Sequence, residues 1–154
     1  NVTHTNVISA CRPVNFLVKE IYLMEVPSST EWKNDNNITS DLGDADEDGI
    51  PNLAEYGFGT NPRSSSATAM PSTSTITLGN ERYLTITYRK NLTADDVQIH
   101  VQSSANLGEW KNDETLITVS ETVDADKGHV IITRRTTKPV AAHEDTFLRV
   151  VVTL

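Results

Sequence analysis

The sequence is short of cysteine, of basic residues and of long apolar runs, and each shortage removes a class of protein. A single cysteine, Cys11, cannot form an internal disulfide. Thirteen Lys and Arg residues against 21 Asp and Glu leave a formal net charge of −8. An acidic surface without a basic stripe repels phosphate backbones, so nucleic acid is not an expected partner. No run approaches the roughly 18 apolar residues that cross a bilayer, so no membrane span is expected. The four histidines, His4, His100, His129 and His143, are scattered and fit no zinc-binding spacing. There is no GxSxG element and Cys11 has no catalytic setting. Carboxylates abound, but they gather in one loop and in turns such as Asp95-Asp96 and Asp124 to Asp126, so no catalytic residue is assigned and no enzyme is expected.

What is there suits a folded domain. The 154 residues are 37% hydrophobic and 22% charged, enough for one domain with a core or for one domain plus a small appendage. The chain begins with Asn1 rather than an initiator methionine, and is expected to be a processed or excised piece. Ile8-Ser9-Ala10-Cys11 has the shape of a bacterial lipoprotein cleavage box, but the residues before it are polar where a lipobox follows an apolar stretch. A buried or incidental thiol is the expectation.

Texture divides the chain into four segments. Residues 1–40 hold one apolar run, Val14 to Val26, whose aromatic and β-branched content favours a strand over a helix. Residues 41–62 hold an acidic loop and a short helix from about Leu53 to Phe58, for which Asn52 and Glu55 form a capping arrangement and Gly57 and Gly59 the stop. Residues 63–73, rich in Ser, Ala and Pro, read as a linker. Residues 74–154 alternate as strands do: Leu84, Ile86 and Tyr88, then Val97, Ile99 and Val101, with further runs at Leu116–Val119, Val130–Thr133 and Phe147–Thr153. Turn signals at Gly79-Asn80, Asn106 to Gly108 and Asp124 to Gly128 separate them. The expected fold is mainly β, an antiparallel sandwich of Ig-like or jelly-roll-like kind, with one short helix.

The acidic loop carries the chemistry. Set on the twelve-residue EF-hand geometry, Asp44, Asp46 and Asp48 take positions one, three and five, and Gly49 takes the sharp turn at six. Ile50 offers its carbonyl at seven, Asn52 stands at nine, and Glu55 supplies a bidentate carboxylate at twelve. Calcium wants six to eight hard oxygens, and alternate residues of a tight loop all point inward. Four carboxylates this close repel one another unless a cation lies between them. Calcium is therefore the expected cofactor.

DADEDGIPN resembles a thrombospondin type 3 repeat, DxDxDGIPD, and DADEDGIPNLAEYGFGTNP resembles its bacterial form. Glu47 stands where that form more often has glycine, a departure expected to cost little at a solvent-facing position. Residues 40–154 as a whole are similar to the end of many extracellular proteins of Verrucomicrobia and Planctomycetes, in which the loop precedes a Ser/Ala/Pro linker and a C-terminal β domain. The matching segments are YLTITYRK at 83–90, VQIHVQSSANLGEW at 97–110 and FLRVVVTL at 147–154. The resemblance implies a secreted or cell-surface accessory module, often beside carbohydrate-active enzymes, and no particular ligand.

Two aromatic residues bear on partners. Trp110 is expected to plug the sandwich edge, and Trp32, in the polar stretch SSTEWKND, is a candidate platform for a polysaccharide or a packing residue. The alternative to an accessory or carbohydrate-binding module is a structural subunit or adhesin of a surface layer or filament, self-associating or joining neighbouring domains through the Val14–Val26 strand. Sequons at Asn1, Asn37 and Asn91 are expected to be chance.

Overall fold

The structure, a computed structural model, describes residues 26–112, 115–142 and 147–154. Among the described residues seven strands form two antiparallel sheets. The four-stranded sheet contains β1 (Ser72–Leu78), β2 (Glu81–Asn91), β5 (Ile117–Asp124) and β6 (His129–Arg135), in the order β1-β2-β6-β5. The three-stranded sheet has the order β4-β3-β7, from β3 (Gln98–Ser104), β4 (Lys111–Asn112) and β7 (Phe147–Thr153). The alternation that marked the strands now sorts side chains between faces. Ile86 and Tyr88 of β2, Val130 and Ile132 of β6 and Val101 of β3 form one buried cluster, with Ile99, Leu116, Leu148 and Val150 packed against it. Residues of both sheets share that core, which makes the architecture sandwich-like.

Among the described residues two short α-helices flank the sheets. Helix α2 (Asn52–Phe58) is the expected one, starting one residue earlier and ending where expected. Pro51, not Asn52, is its N-cap and contributes no side-chain bond, while Gly59 ends it at φ 69. Gly57 does not stop the helix. It lies inside it, where an added Cβ would stand 2.8 Å from Val152 Cγ1. Helix α1 (Ser29–Asp35) was not anticipated, although Ser28 and Glu31 complete a capping box before it. The apolar run Val14–Val26 lies outside the described residues except for Val26.

Within the segment read as a linker Ala69 is buried, a 3-10 turn spans Ala67–Ala69, and β1 starts at Ser72, while most of the other residues are exposed. Helix α2 docks on the sheets through Tyr56, which clusters with Ala94 and Val97 and is flanked by Trp32, Leu53 and Val152. The Asn91 amide donates to the Tyr56 carbonyl at 2.9 Å. Helix α1 is tied to the same unit: Ser29 N–H donates to Asp96 at 2.8 Å and Lys33 pairs with Asp41 at 2.8 Å. No helix among the described residues is long and apolar enough to cross a membrane.

Candidate metal centre

Between the two helices the chain folds back on its own carboxylates. Asp44 accepts from Gly49 N–H at 2.8 Å and from Asp48 N–H at 3.2 Å. Asp48 accepts from Ile50 N–H at 2.9 Å. The turn needs two left-handed residues, Glu47 at φ 62 and Gly49 at φ 91. Ile50, wholly buried, pegs the loop to the interior. As a result Asp44, Asp46 and Asp48 each bring a carboxylate oxygen within 4.8 Å of the others, an arrangement that could hold a metal ion. Gly49 N–H is the largest influence on Asp44 and holds its carboxyl below the usual range.

Two further loop residues lie in the interior. Glu55 is 0% and Asn52 3% exposed. Glu55 Oε1 accepts from the hydroxyls of Thr60 and Ser66, each at 3.2 Å. Burial pushes the Glu55 carboxyl up to about 7, with Asp46 and Asp48 adding to the rise against the two hydroxyls. Asn52 is no helix cap here: its amide donates to the Ser40 carbonyl at 2.8 Å, which turns its oxygen the other way. Gly43 makes room for that amide, since a Cβ there would meet Asn52 Nδ2 at 3.1 Å.

Among the described residues, five buried side-chain polar atoms lack a hydrogen-bond partner, and three of them belong to this loop: Asp46 Oδ2, Asn52 Oδ1 and Glu55 Oε2. All three are oxygens. Buried acceptors without donors are costly and rare, and a cation is one partner that such oxygens can take. The donor set is carboxylate and amide oxygen, the hard set that calcium and magnesium take and that zinc and copper do not prefer.

Ser66 is the residue that sequence reasoning missed. Its N–H donates to Asp48 Oδ2 at 2.5 Å and its hydroxyl to Glu55 Oε1, so one residue of the supposed linker joins both ends of the loop. Its only sequence signal was membership of a serine run.

The tryptophans fall differently. Trp32 is half-buried, its ring 5.2 Å from that of Tyr56 at a 47° tilt. Trp110 is also half-buried, but it belongs to neither apolar cluster and carries the Arg149 guanidinium 4.2 Å above its ring. No protein-family model, curated protein or solved structure was found to match this chain.

Proposed function

We propose that this chain is a calcium-binding, non-catalytic β-sandwich module that serves outside the cytoplasm as an accessory part of a larger secreted protein, with polysaccharide as its partner. One observation carries the calcium reading: Asp44, Asp46 and Asp48 bring carboxylate oxygens within 4.8 Å of one another, in a loop where Asp46, Asn52 and Glu55 each keep a buried oxygen without a donor. Asp44, Asp46, Asp48, Asn52 and Glu55 would hold the ion by side chains and Ile50 by its carbonyl. The ion's role is structural. It neutralises the carboxylates and fixes the loop and α2 against the sheets, which on this reading form an Ig-like or jelly-roll-like sandwich. Loops of extracellular modules bind calcium at about 10⁻⁴–10⁻³ M, suited to an external supply rather than to cytosolic signalling.

A ligand that binds only the folded state stabilises by mass action, about 2.7 kcal/mol at a hundredfold excess over Kd. Saturating calcium should therefore raise the melting temperature over that in chelator by roughly 5–10 °C. The double variant Asp46→Asn/Glu55→Gln should lose that gain. A wild-type transition indifferent to both calcium and chelator would overturn the proposal.

The second reading, assembly by strand addition, is favoured by one observation. Among the described residues β7 pairs only on its β3 side, and a cavity of about 550 Å³ lies between that strand, the loop and α2, lined by Leu53, Phe58, Leu148 and Val150 among others. Light scattering on the chain with and without residues 1–25 tests it: a monomer in both forms excludes assembly.

A further inference from the structure

The outer face of the β4-β3-β7 sheet carries a row of planar polar groups. Val101, Leu148 and Val150 point into the core, so Gln102 and Arg149 between them point outward. Gln102 and Arg149 are cross-strand partners. Arg149 Nε donates to Gln102 Oε1 at 2.9 Å, and Gln102 Nε2 donates to Asn112 Oδ1 at 3.0 Å. The row ends on Trp110, over whose ring Arg149 lies. Its members hold one another in place. Among the described residues the terminal amino groups of Arg149 and the Asn112 amide nitrogen make no hydrogen bond, and so remain as donors on a rigid surface.

The turn that delivers Trp110 is built at a cost. Leu107 adopts φ 64, a left-handed conformation that bulky side chains rarely take, and its side chain is 57% exposed. Local bonds enforce it. Ser104 Oγ accepts from the N–H groups of Asn106 and Leu107 at 3.2 and 2.9 Å, and Asn106 Oδ1 accepts from those of Gly108 and Glu109 at 2.9 and 3.0 Å. The strained Leu107 carbonyl then receives the Trp110 indole N–H at 3.0 Å, which fixes the ring. Trp110 also borders a cavity of about 280 Å³ together with Asn106, Glu109 and Lys111, near the small end of ligand-site sizes. Strain of this kind, spent on orienting a half-exposed indole beside a cavity and fixed donors, serves recognition better than packing.

We infer that this surface is a saccharide site: a pyranose ring of a polysaccharide lies at Trp110 with its hydroxyls on the Arg149–Gln102–Asn112 row. Arg149 covers one face of the indole, so the pyranose takes the other: its C–H face carries partial positive charge that suits the negative face of the ring, and the hydroxyls at the sugar's edge need the fixed donors and acceptors of the row. The site rests on the reading of the chain as a polysaccharide-binding module, and it moves the contact from Trp32 to Trp110.

Affinity electrophoresis in calcium through gels containing soluble xylan, mannan, β-glucan or alginate, with pull-down on cellulose and chitin, tests both. At least one of these probes should retain the wild type. Trp110→Ala should weaken that retention tenfold or more, Asn112→Ala severalfold, and Trp32→Ala, if its melting transition is intact, should leave it unchanged. Asn112→Ala touches no packed ring, so it decides the matter if Trp110→Ala fails to fold. Wild-type retention that persists in both the Trp110 and Asn112 variants would overturn this site while leaving a polysaccharide-binding module in place. No retention of the wild type by any of the six would overturn both.

Discussion

Glu47 and Glu55 are the two loop residues whose conformation or charge is expensive as they stand. Glu47 sits at φ 62, where a side chain costs about 1–2 kcal/mol and glycine nothing. That runs against the expectation that glutamate in place of glycine costs little at this position. Glycine gives back some of the gain as unfolded-state entropy, about 0.5–1 kcal/mol. Glu47→Gly should therefore stabilise the chelated protein by about 0.5–1 kcal/mol in urea unfolding; an unchanged or lower midpoint would count against the strain. Glu55 holds its proton up to about pH 7 when no ion is present, against 4.5 for the free side chain. A raised carboxyl contributes stability that is complete below pH 4.5 and is lost as pH rises through about 7. In chelator, then, wild-type stability relative to Glu55→Gln should fall between pH 5 and 7.5, whereas calcium, which needs the deprotonated ligand, should reverse the slope. Melting temperatures of the pair across that range read the sign directly. The clustering of Asp44, Asp46 and Asp48 was legible in the sequence because loop geometry is local, set by the spacing of a few residues. Ser66 and Ser40 were not, because their bonds to Asp48, Glu55 and Asn52 bridge 11 to 18 residues and exist only once the loop has docked.

Helix α2 shows how docking overrules local preference. Read alone, Asn52 is a good N-cap and Gly57 a good stop, yet Asn52 turns its amide to Ser40 and Gly57 is drawn into the helix. The reason for glycine at 57 is contact, not backbone freedom: β7 passes so close that a Cβ would reach Val152 at 2.8 Å. Alanine improves helix propensity by about 1 kcal/mol, but overpacking a filled contact costs about 1–3. Gly57→Ala should accordingly destabilise, by about 1–2 kcal/mol, a loss that propensity alone gives the wrong sign. Combining it with Val152→Ala should cost less than the sum of the two single changes, since the smaller side chain makes room for the new methyl. Additive losses in a double-mutant cycle would place the damage elsewhere. Helix α1 carries the converse lesson. The Ser28–Glu31 box was present in SSTE, but too few apolar positions follow it to mark a helix by periodicity, and its bonds to Asp96 and Asp41 are tertiary.

At the scale of the molecule, the strands were legible because a two-residue period survives wherever one face is buried, as in β2 and β6. The joint between loop and sheets was not, because it is made of single contacts from distant segments: Tyr56 to Asp96 at 2.7 Å, Asn91 to the Tyr56 carbonyl, Gly57 on Val152. Those contacts leave no linker-like gap across which the parts can separate, so loop, helices and both sheets should unfold as one unit. The two tryptophans lie at opposite ends of that claim. Trp32 packs on Tyr56 beside the loop, and Trp110 sits on the outer face of the three-stranded sheet. In Trp110→Phe, fluorescence reports the loop side; in Trp32→Phe, it reports the surroundings of Trp110 and Arg149. Both should give the same urea midpoint in chelator, after allowance for each substitution's own cost by circular dichroism, and calcium should move both by the same amount. A calcium shift confined to the Trp32 signal would mean that the ion orders only its own loop, and that the fold is two cooperative units rather than one.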